Sequence, residues 1–296
     1  MKLAICITTR NRTTELEHCL AAIQASVQQP HEIIVSDDSS DPLIQTKNAE
    51  IVSRYSNACF ILGPRKGVCA NRNNAVNHVQ DSDYVSFVDD DIYIEPDFLN
   101  LSANFYEMLP EANRLKTILS GVSYGQEGQE LHPAKLSFRG YFHAVRSGQS
   151  YETVVIHAAI FPRRFFKDEQ WDENIFFGYE DGELCLRAIK HGYEIQLVPN
   201  LKVYNSCFDQ STLLVPSVAK LTDYQIYPEA ARLYVGVKRY KYLSPNFAKL
   251  YLFILVYIAH ILIFLSKKQS LKALPVILER SKVRDIWNAA PASSLP

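Results

Sequence analysis

Apolar residues in the first third of the chain come in short, dense runs closed by polar or glycine-bearing segments. Lys2–Thr8, Glu32–Ser36, Ala58–Leu62 and Tyr84–Val88 are rich in β-branched and aromatic side chains, as buried strands are. Between them, Thr13–Val27, Ala49–Tyr55 and Val68–His78 carry apolar residues at helical spacing, with Leu16, Leu20 and Ile23 on one side of the first. Such alternation predicts an α/β fold, a Rossmann-like and mostly parallel sheet with helices on both faces. Further on, the pattern predicts a helix over Pro96–Met108 and strands over Thr117–Ser123 and Thr153–Phe161. A polar loop and hairpin are expected over Gly125–Gln149. A helix is expected from near Glu180 to Gly192, followed by a strand.

The far end of the chain changes character. From Leu250 to Leu265 it is apolar on every side except for tyrosines and His260. Sixteen helical residues rise about 24 Å, against a bilayer core of about 30 Å. Charge divides at the same place: residues 1–228 hold 20 Lys+Arg and 29 Asp+Glu (net −9), and residues 229–296 hold 11 and 3 (net +8). A basic tail around a hydrophobic block suits an anionic membrane surface better than nucleic acid. The expected organisation is therefore an α/β body over 1–225 and a helical, membrane-associating tail over 226–296; a span or a helix buried on the body are the alternatives. The six cysteines form no C-x-x-C pair and read as free thiols of a reducing compartment. The opening apolar run is too short for a signal peptide. The body is expected to be cytoplasmic, at the cytoplasmic face of the membrane.

In parallel sheets ligands bind beyond the carboxyl ends of the strands. Four polar segments fall there: Thr8–Arg12 (T-T-R-N-R), Asp37–Asp41 (D-D-S-S-D), Gly63–Gly67 (G-P-R-K-G) and Asp89–Asp91 (D-D-D). Alternation along an extended segment points Asp89 and Asp91 one way and Asp90 the other. A D-x-D pair of hard oxygens suits Mg²⁺ or Mn²⁺ holding a diphosphate; a solvated helix cap is the other reading. Glu180 and Asp181 open a helix, whose dipole favours their ionised forms, either as a general base or as charge complementation. The aromatics before them (Trp171, Phe176, Phe177, Tyr179) offer a wall for a sugar ring, or core packing. Asp37 and Asp38 can accept a nucleobase N–H or close an Asx turn. Arg72 can fork onto a base or a phosphate, or pair with a carboxylate.

Taken in order, C-I-T-T-R-N-R, E-I-I-V-S-D-D-S-S-D, K-G-V-C-A-N-R-N-N-A-V, V-S-F-V-D-D-D and F-F-G-Y-E-D-G-E-L-C-L-R resemble the family 2 glycosyltransferases over residues 1–205. The resemblance implies a GT-A fold and an inverting, metal-dependent enzyme. It implies a nucleotide-sugar donor, with UDP or dTDP favoured, and a glycan or lipid-linked acceptor in cell-surface polysaccharide or glycolipid synthesis. It places Thr8, Arg10, Asp37, Asp38, Gly67, Arg72, Asp89 and Asp90 at the nucleotide. Asp91, with Asp89, becomes the Mn²⁺ or Mg²⁺ ligand, and Asp181 the catalytic base with Glu180 beside it. Two departures stand out: Asn205 replaces a histidine common after the last strand, and Arg65-Lys66 stand where an asparagine is common. A nucleotidyltransferase would need a glycine-rich loop after the first strand, and T-T-R-N-R-T-T has no glycine. A degenerate, non-catalytic nucleotide-sugar-binding subunit is the alternative.

Overall fold

The computed structural model describes residues 1–205 and 215–288. Its first half alternates as the pattern predicts: β1 (Leu3–Thr9), α1 (Thr13–Gln24), β2 (Glu32–Asp37), α2 (Pro42–Val52), β3 (Ala58–Leu62), α3 (Val68–Asn77) and β4 (Tyr84–Asp89). These four strands are mutually parallel, and Thr8 of β1 lies between Ser36 of β2 and Asp89 of β4. Side chains alternate across β1 as a pleated strand requires. Leu3, Ile5 and Ile7 pack with Leu16 and Leu20 of α1, while Ala4 and Cys6 pack with Cys69 and Ala75 of α3.

The second half extends the sheet. It comprises β5 (Ile92–Ile94), α4 (Phe98–Met108), α5 (Glu111–Arg114), β6 (Thr117–Tyr124), β7 (Glu130–Leu131), the hairpin β8 (Lys135–Leu136) and β9 (Phe142–His143), β10 (Ala159–Pro162), α6 (Phe165–Asp168), α7 (Glu180–Lys190) and β11 (Glu194–Asn205). The central sheet runs β3-β2-β1-β4-β10-β6-β11-β5, with β7 on β6. Strand β10 is antiparallel to both neighbours, so the sheet is mixed beyond β4.

Two expected elements shift. The helix expected over Ala49–Tyr55 starts at Pro42, because Asp41 caps it: its Oδ1 accepts from the Leu43 amide at 2.9 Å, and Pro at the first helical position needs no donor. The strand expected over Thr153–Phe161 shrinks to β10. Val154, Val155 and Ile156 are buried but lie in a loop and a 3₁₀ turn over Ile156–Ala158, so their apolar character reflects burial and not strand pairing.

After the short strands β12 (Pro216–Val218) and β13 (Leu221–Thr222), the tail comprises α8 (Asp223–Lys238), a π turn over Arg239–Leu243, α9 (Phe247–Lys267), α10 (Leu274–Arg280) and α11 (Val283–Asn288). The expected boundary at 225/226 falls inside α8 and does not hold. Leu233 and Val237 of α8 and Leu250, Phe253, Tyr257, Ile261 and Leu265 of α9 belong to the same hydrophobic cluster as Ala4 and Cys6 of β1. Contact is close enough that a Cβ on Gly236 would stand 2.1 Å from the Phe253 ring. Lys238 Nζ lies 2.6 Å from both Asp172 and Glu183. Five described cysteines are free; Cys207 lies outside the described residues.

A shared core predicts shared unfolding. Phe253→Ala should cost about 3–5 kcal/mol and lower one common melting transition, followed by tyrosine absorbance and far-UV circular dichroism. Two separate transitions, only one of them shifted, would mean that the tail folds apart from the body.

Candidate active site

The three aspartates after β4 do not share one target. Asp89 accepts from Arg72 Nη2 at 3.1 Å. Asp90, 2% exposed, turns inward to Thr9 Oγ1 at 2.7 Å and Arg12 Nη1 at 2.8 Å. Asp91 takes Arg12 Nη2 at 2.8 Å. The forked guanidinium of Arg12 thus joins the last two. Burial pushes Asp90 up to about 7 despite Arg12, and burial together with the charge of Asp89 raises Asp91. Burial also works against the charge on Asp89, but Arg72 outweighs it and holds that carboxyl below the usual range.

At the end of β2 the acidic pair divides its work. Asp37 is fully buried; Oδ1 accepts from the Ser39 amide at 2.7 Å and Oδ2 from Asn48 Nδ2 at 2.9 Å. It anchors the loop to α2 and presents nothing to a base, contrary to expectation. Asp38 spends Oδ1 on the Arg65 amide at 2.8 Å. Burial raises its pKa, against the pull of Arg65 and Arg10. Thr8 is half-buried and Arg10 exposed beside it. Gly67 has φ +105°, and a Cβ there would meet the Phe176 ring at 3.0 Å, so only glycine lets this loop and the aromatic segment approach.

Helix α3 carries N-R-N-N across its middle, and three of these side chains are buried. Asn71 exchanges hydrogen bonds with Ser36 at the end of β2, and Asn73 holds the backbone of Trp171 through both its amide groups. Arg72, 3% exposed, donates to Glu180 Oε1 at 3.2 Å as well as to Asp89 and lies 4.9 Å over the Trp171 ring. It therefore bridges the end of β4 and the start of α7. Trp171 is core beneath Arg72, not a wall for a sugar. Phe176 stacks on Tyr227 at 4.4 Å and Tyr179 on Phe142 at 4.8 Å.

The chain enters α7 through Gly178 (φ 83°) and Tyr179 (φ 64°), two successive left-handed residues. Glu180 is committed to Arg72. Asp181 has no ion pair among the described residues, and its Oδ1 accepts from the Gly182 amide at 2.7 Å. Burial, then the charge of Glu180, push it up to about 7. The helix dipole was expected to keep it readily ionised; burial wins instead.

Among the described residues no three His, Cys, Asp or Glu side chains converge on one point. Asp89 and Asp91 still fit a magnesium-like ion, which takes one or two carboxylates and completes its shell with phosphate and water oxygens. Asn205 pairs with Ile92 across β11 and β5, beside Asp91 in the chain. His157, whose buried Nε2 has no hydrogen-bond partner, feels the charge of Asp89, yet burial still lowers its pKa. Thr9, Arg12, Asn48, Asn71, Asn73 and His157 escaped the reading by motif. The polar run in α3 was the legible signal, since buried polar side chains in a helix must have partners.

No curated protein sequence matches the chain significantly. Among solved structures, TarS 1–349 of S. aureus in complex with UDP-GlcNAc is similar at 16% identity and TM-score 0.62, over 95% of this chain and 79% of that one. TarS 1–349 alone gives 17% and 0.55 over 80% and 64%. GalNAc-T7 with UDP, GalNAc and Mn²⁺ gives 12% and 0.57 over 86% and 55%. The chain thus spans less than two thirds of some of these relatives, and 39% of a longer TarS. The sheet order and these likenesses are those of the GT-A fold. Residues 4–171, more than half of the chain, match the family described as Glycosyl transferase family 2, and the protein belongs to that family.

Proposed function

We propose that this protein is an inverting glycosyltransferase that moves a sugar from a nucleotide-diphosphate sugar to an acceptor hydroxyl. One observation carries the reading. Arg72 joins Asp89, on the donor side, to Glu180, so that Asp181 is the one carboxylate of that helix start left without a cation. A carboxylate raised to about 7 is matched to taking a proton at neutral pH. The uridine nucleotides in the TarS and GalNAc-T7 structures favour UDP as the donor's nucleotide.

In this reading Asp38, with Thr8 and Arg10, meets the base, and Asp89 meets the ribose. Asp89 and Asp91 would hold Mn²⁺ or Mg²⁺, which neutralises charge on a departing diphosphate. Asp181 accepts the proton of the acceptor hydroxyl as that oxygen attacks the anomeric carbon from the face opposite the diphosphate. One displacement inverts the configuration, without a second nucleophilic carboxylate. Glu180 keeps Asp181's pKa high through its charge, and Arg72 fixes Glu180 in place. The acceptor is a glycan or a lipid-linked sugar, met by the loop of residues 125–150 and by the aromatic segment 171–179. A non-catalytic binding subunit is the second reading, favoured only by Asn205.

Asp181→Asn should lower transfer by about 10²–10⁴-fold while leaving calorimetric UDP affinity within about threefold, a change too small to report a lost contact. Unchanged transfer would remove Asp181 from the base role. The same variant should be more stable than wild type by about 1–3 kcal/mol near pH 8 and equal near pH 4, because only above the ordinary carboxylate range does folding pay to ionise this half-buried group.

Transfer should rise with pH through about 7, since the base must be ionised, and level off above it. Glu180→Gln should move that limb to lower pH by removing the neighbouring negative charge. In titrations of UDP, dTDP and GDP with and without Mn²⁺, one nucleotide should bind in a metal-dependent way, and Asp91→Ala should abolish the metal dependence. No nucleotide binding by the folded wild type would overturn the donor reading, and binding without turnover would favour the non-catalytic subunit.

A further inference from the structure

Helix α9 is long and apolar enough to cross a membrane by length and composition, yet its packing opposes that. Leu250, Phe253, Tyr257, Ile261 and Leu265 form a stripe at 0–1% exposure against the core. Tyr257 Oη donates to the Glu229 carbonyl at 2.9 Å, and Tyr141 Oη lies 2.9 Å from His260 Nδ1. Spanning would strip this stripe from α8 and reopen the hydrophobic core. The opposite side of the same helix is largely open to solvent: Tyr251, Leu252, Leu255, Ile258, Leu262 and Ile263 are 38–67% exposed, with Tyr251 edge-on to Trp287 at 6.5 Å. An apolar strip of this extent on one helix face marks an interaction surface.

Charge identifies the partner. The tail's inward cations are matched: Arg232 by Glu229, Lys238 by Asp172 and Glu183, Arg239 by Glu152, and Arg280 by Asp223. Lys249, Lys267, Lys268, Lys272, Lys282 and Arg284 are exposed and have no ion pair among the described residues. They lie at both ends of α9 and from there on to α11, where they outnumber the exposed acids Glu279 and Asp285. A second copy placed symmetrically on this face would set like charges against like. An anionic lipid surface meets both the strip and the cations. Next to the strip, α8, α9, α10 and α11 enclose a cavity of about 330 Å³ lined by Leu233, Val237, Ile254, Tyr257, Leu278 and Trp287, with Arg284 also at its wall. Its volume is in the range of small-molecule sites, roughly 300–1,000 Å³. Ile258, Leu278 and Trp287 line it and are also partly exposed, so cavity and strip are continuous.

We propose that the α9–α11 face docks the protein flat on an anionic bilayer, with one lipid hydrocarbon chain lodged in this cavity and Arg284 at the phosphate of its head. This inference stands independently of the catalytic reading, because vesicle binding and nucleotide binding are measured separately.

The test is sedimentation of the full chain with phosphatidylcholine vesicles, with or without phosphatidylglycerol, together with tryptophan quenching by chain-brominated lipid. Of the two tryptophans, Trp171 is buried in the core, so quenching reports Trp287. Binding should require the anionic lipid and weaken with salt, and Trp287 should be quenched, with quenching lost in Trp287→Phe. Changing Lys267, Lys268 and Lys272 to Gln should weaken binding about fivefold per lysine. Leu255→Glu and Leu262→Glu, at exposed positions, should weaken it at least about tenfold without moving the melting temperature or the UDP affinity. Binding that ignores lipid charge, binding without quenching of Trp287, or no vesicle binding by a folded protein that self-associates through this face would each overturn the proposal.

Discussion

A single buried guanidinium holds the candidate site together. Arg72 reaches from the middle of α3 to a carboxylate at the end of β4 and to another at the start of α7, over the face of Trp171. The end of β4 lies 17 residues from Arg72 and the start of α7 108 residues from it, and both are acidic. Without the cation, Glu180 would be left as a largely buried charge with no partner, while Asp89, about a third exposed, would keep part of its solvation. With it, the end of β4 and the helix that carries Asp181 are tied to one side chain. Asn73, one residue on, fixes the Trp171 backbone and so the entry to that helix.

The same arithmetic explains why the acidic segments behave differently from one another. Asp37 and Asp90 are closed off by internal donors and serve the loops. Burial raises Asp38, Asp90, Asp91 and Asp181 alike, so the ionised form of each is held at an energetic cost. Carboxylates whose pKa is displaced in this way are often found where chemistry is done. Arg12 supplies part of the missing charge to Asp90 and Asp91, and a divalent ion beside Asp91 would have to share that carboxylate with it.

The C-terminal helices belong to the body. They share a hydrophobic cluster with residues of β1 and α3, and Lys238 ties α8 to Asp172 and to Glu183 of α7. Through Tyr227 against Phe176 and Pro228 beside Gly178, α8 also touches the aromatic segment leading to Asp181. A surface carried on α9–α11 is therefore joined through α8 to the segment that leads into α7.

The sequence by itself determined the strand–helix alternation, the acidic strand ends and the family, because these rest on local periodicity and on residues adjacent in the chain. Glu180–Asp181 was legible for the same reason. It misplaced the start of α2, where the Asp41-Pro42 cap outweighed apolar spacing, and it read buried loop residues 153–158 as strand, since burial and pairing leave the same apolar mark. Only the tertiary structure decided which carboxylates are tied to which donors. That depends on partners remote in sequence: Asn48 for Asp37, Arg12 for Asp90, Arg72 for Asp89 and Glu180. It likewise decided the tail. Composition made α9 a candidate for the membrane, but the side of the helix that meets α8 fixed one stripe in the core and left the other exposed.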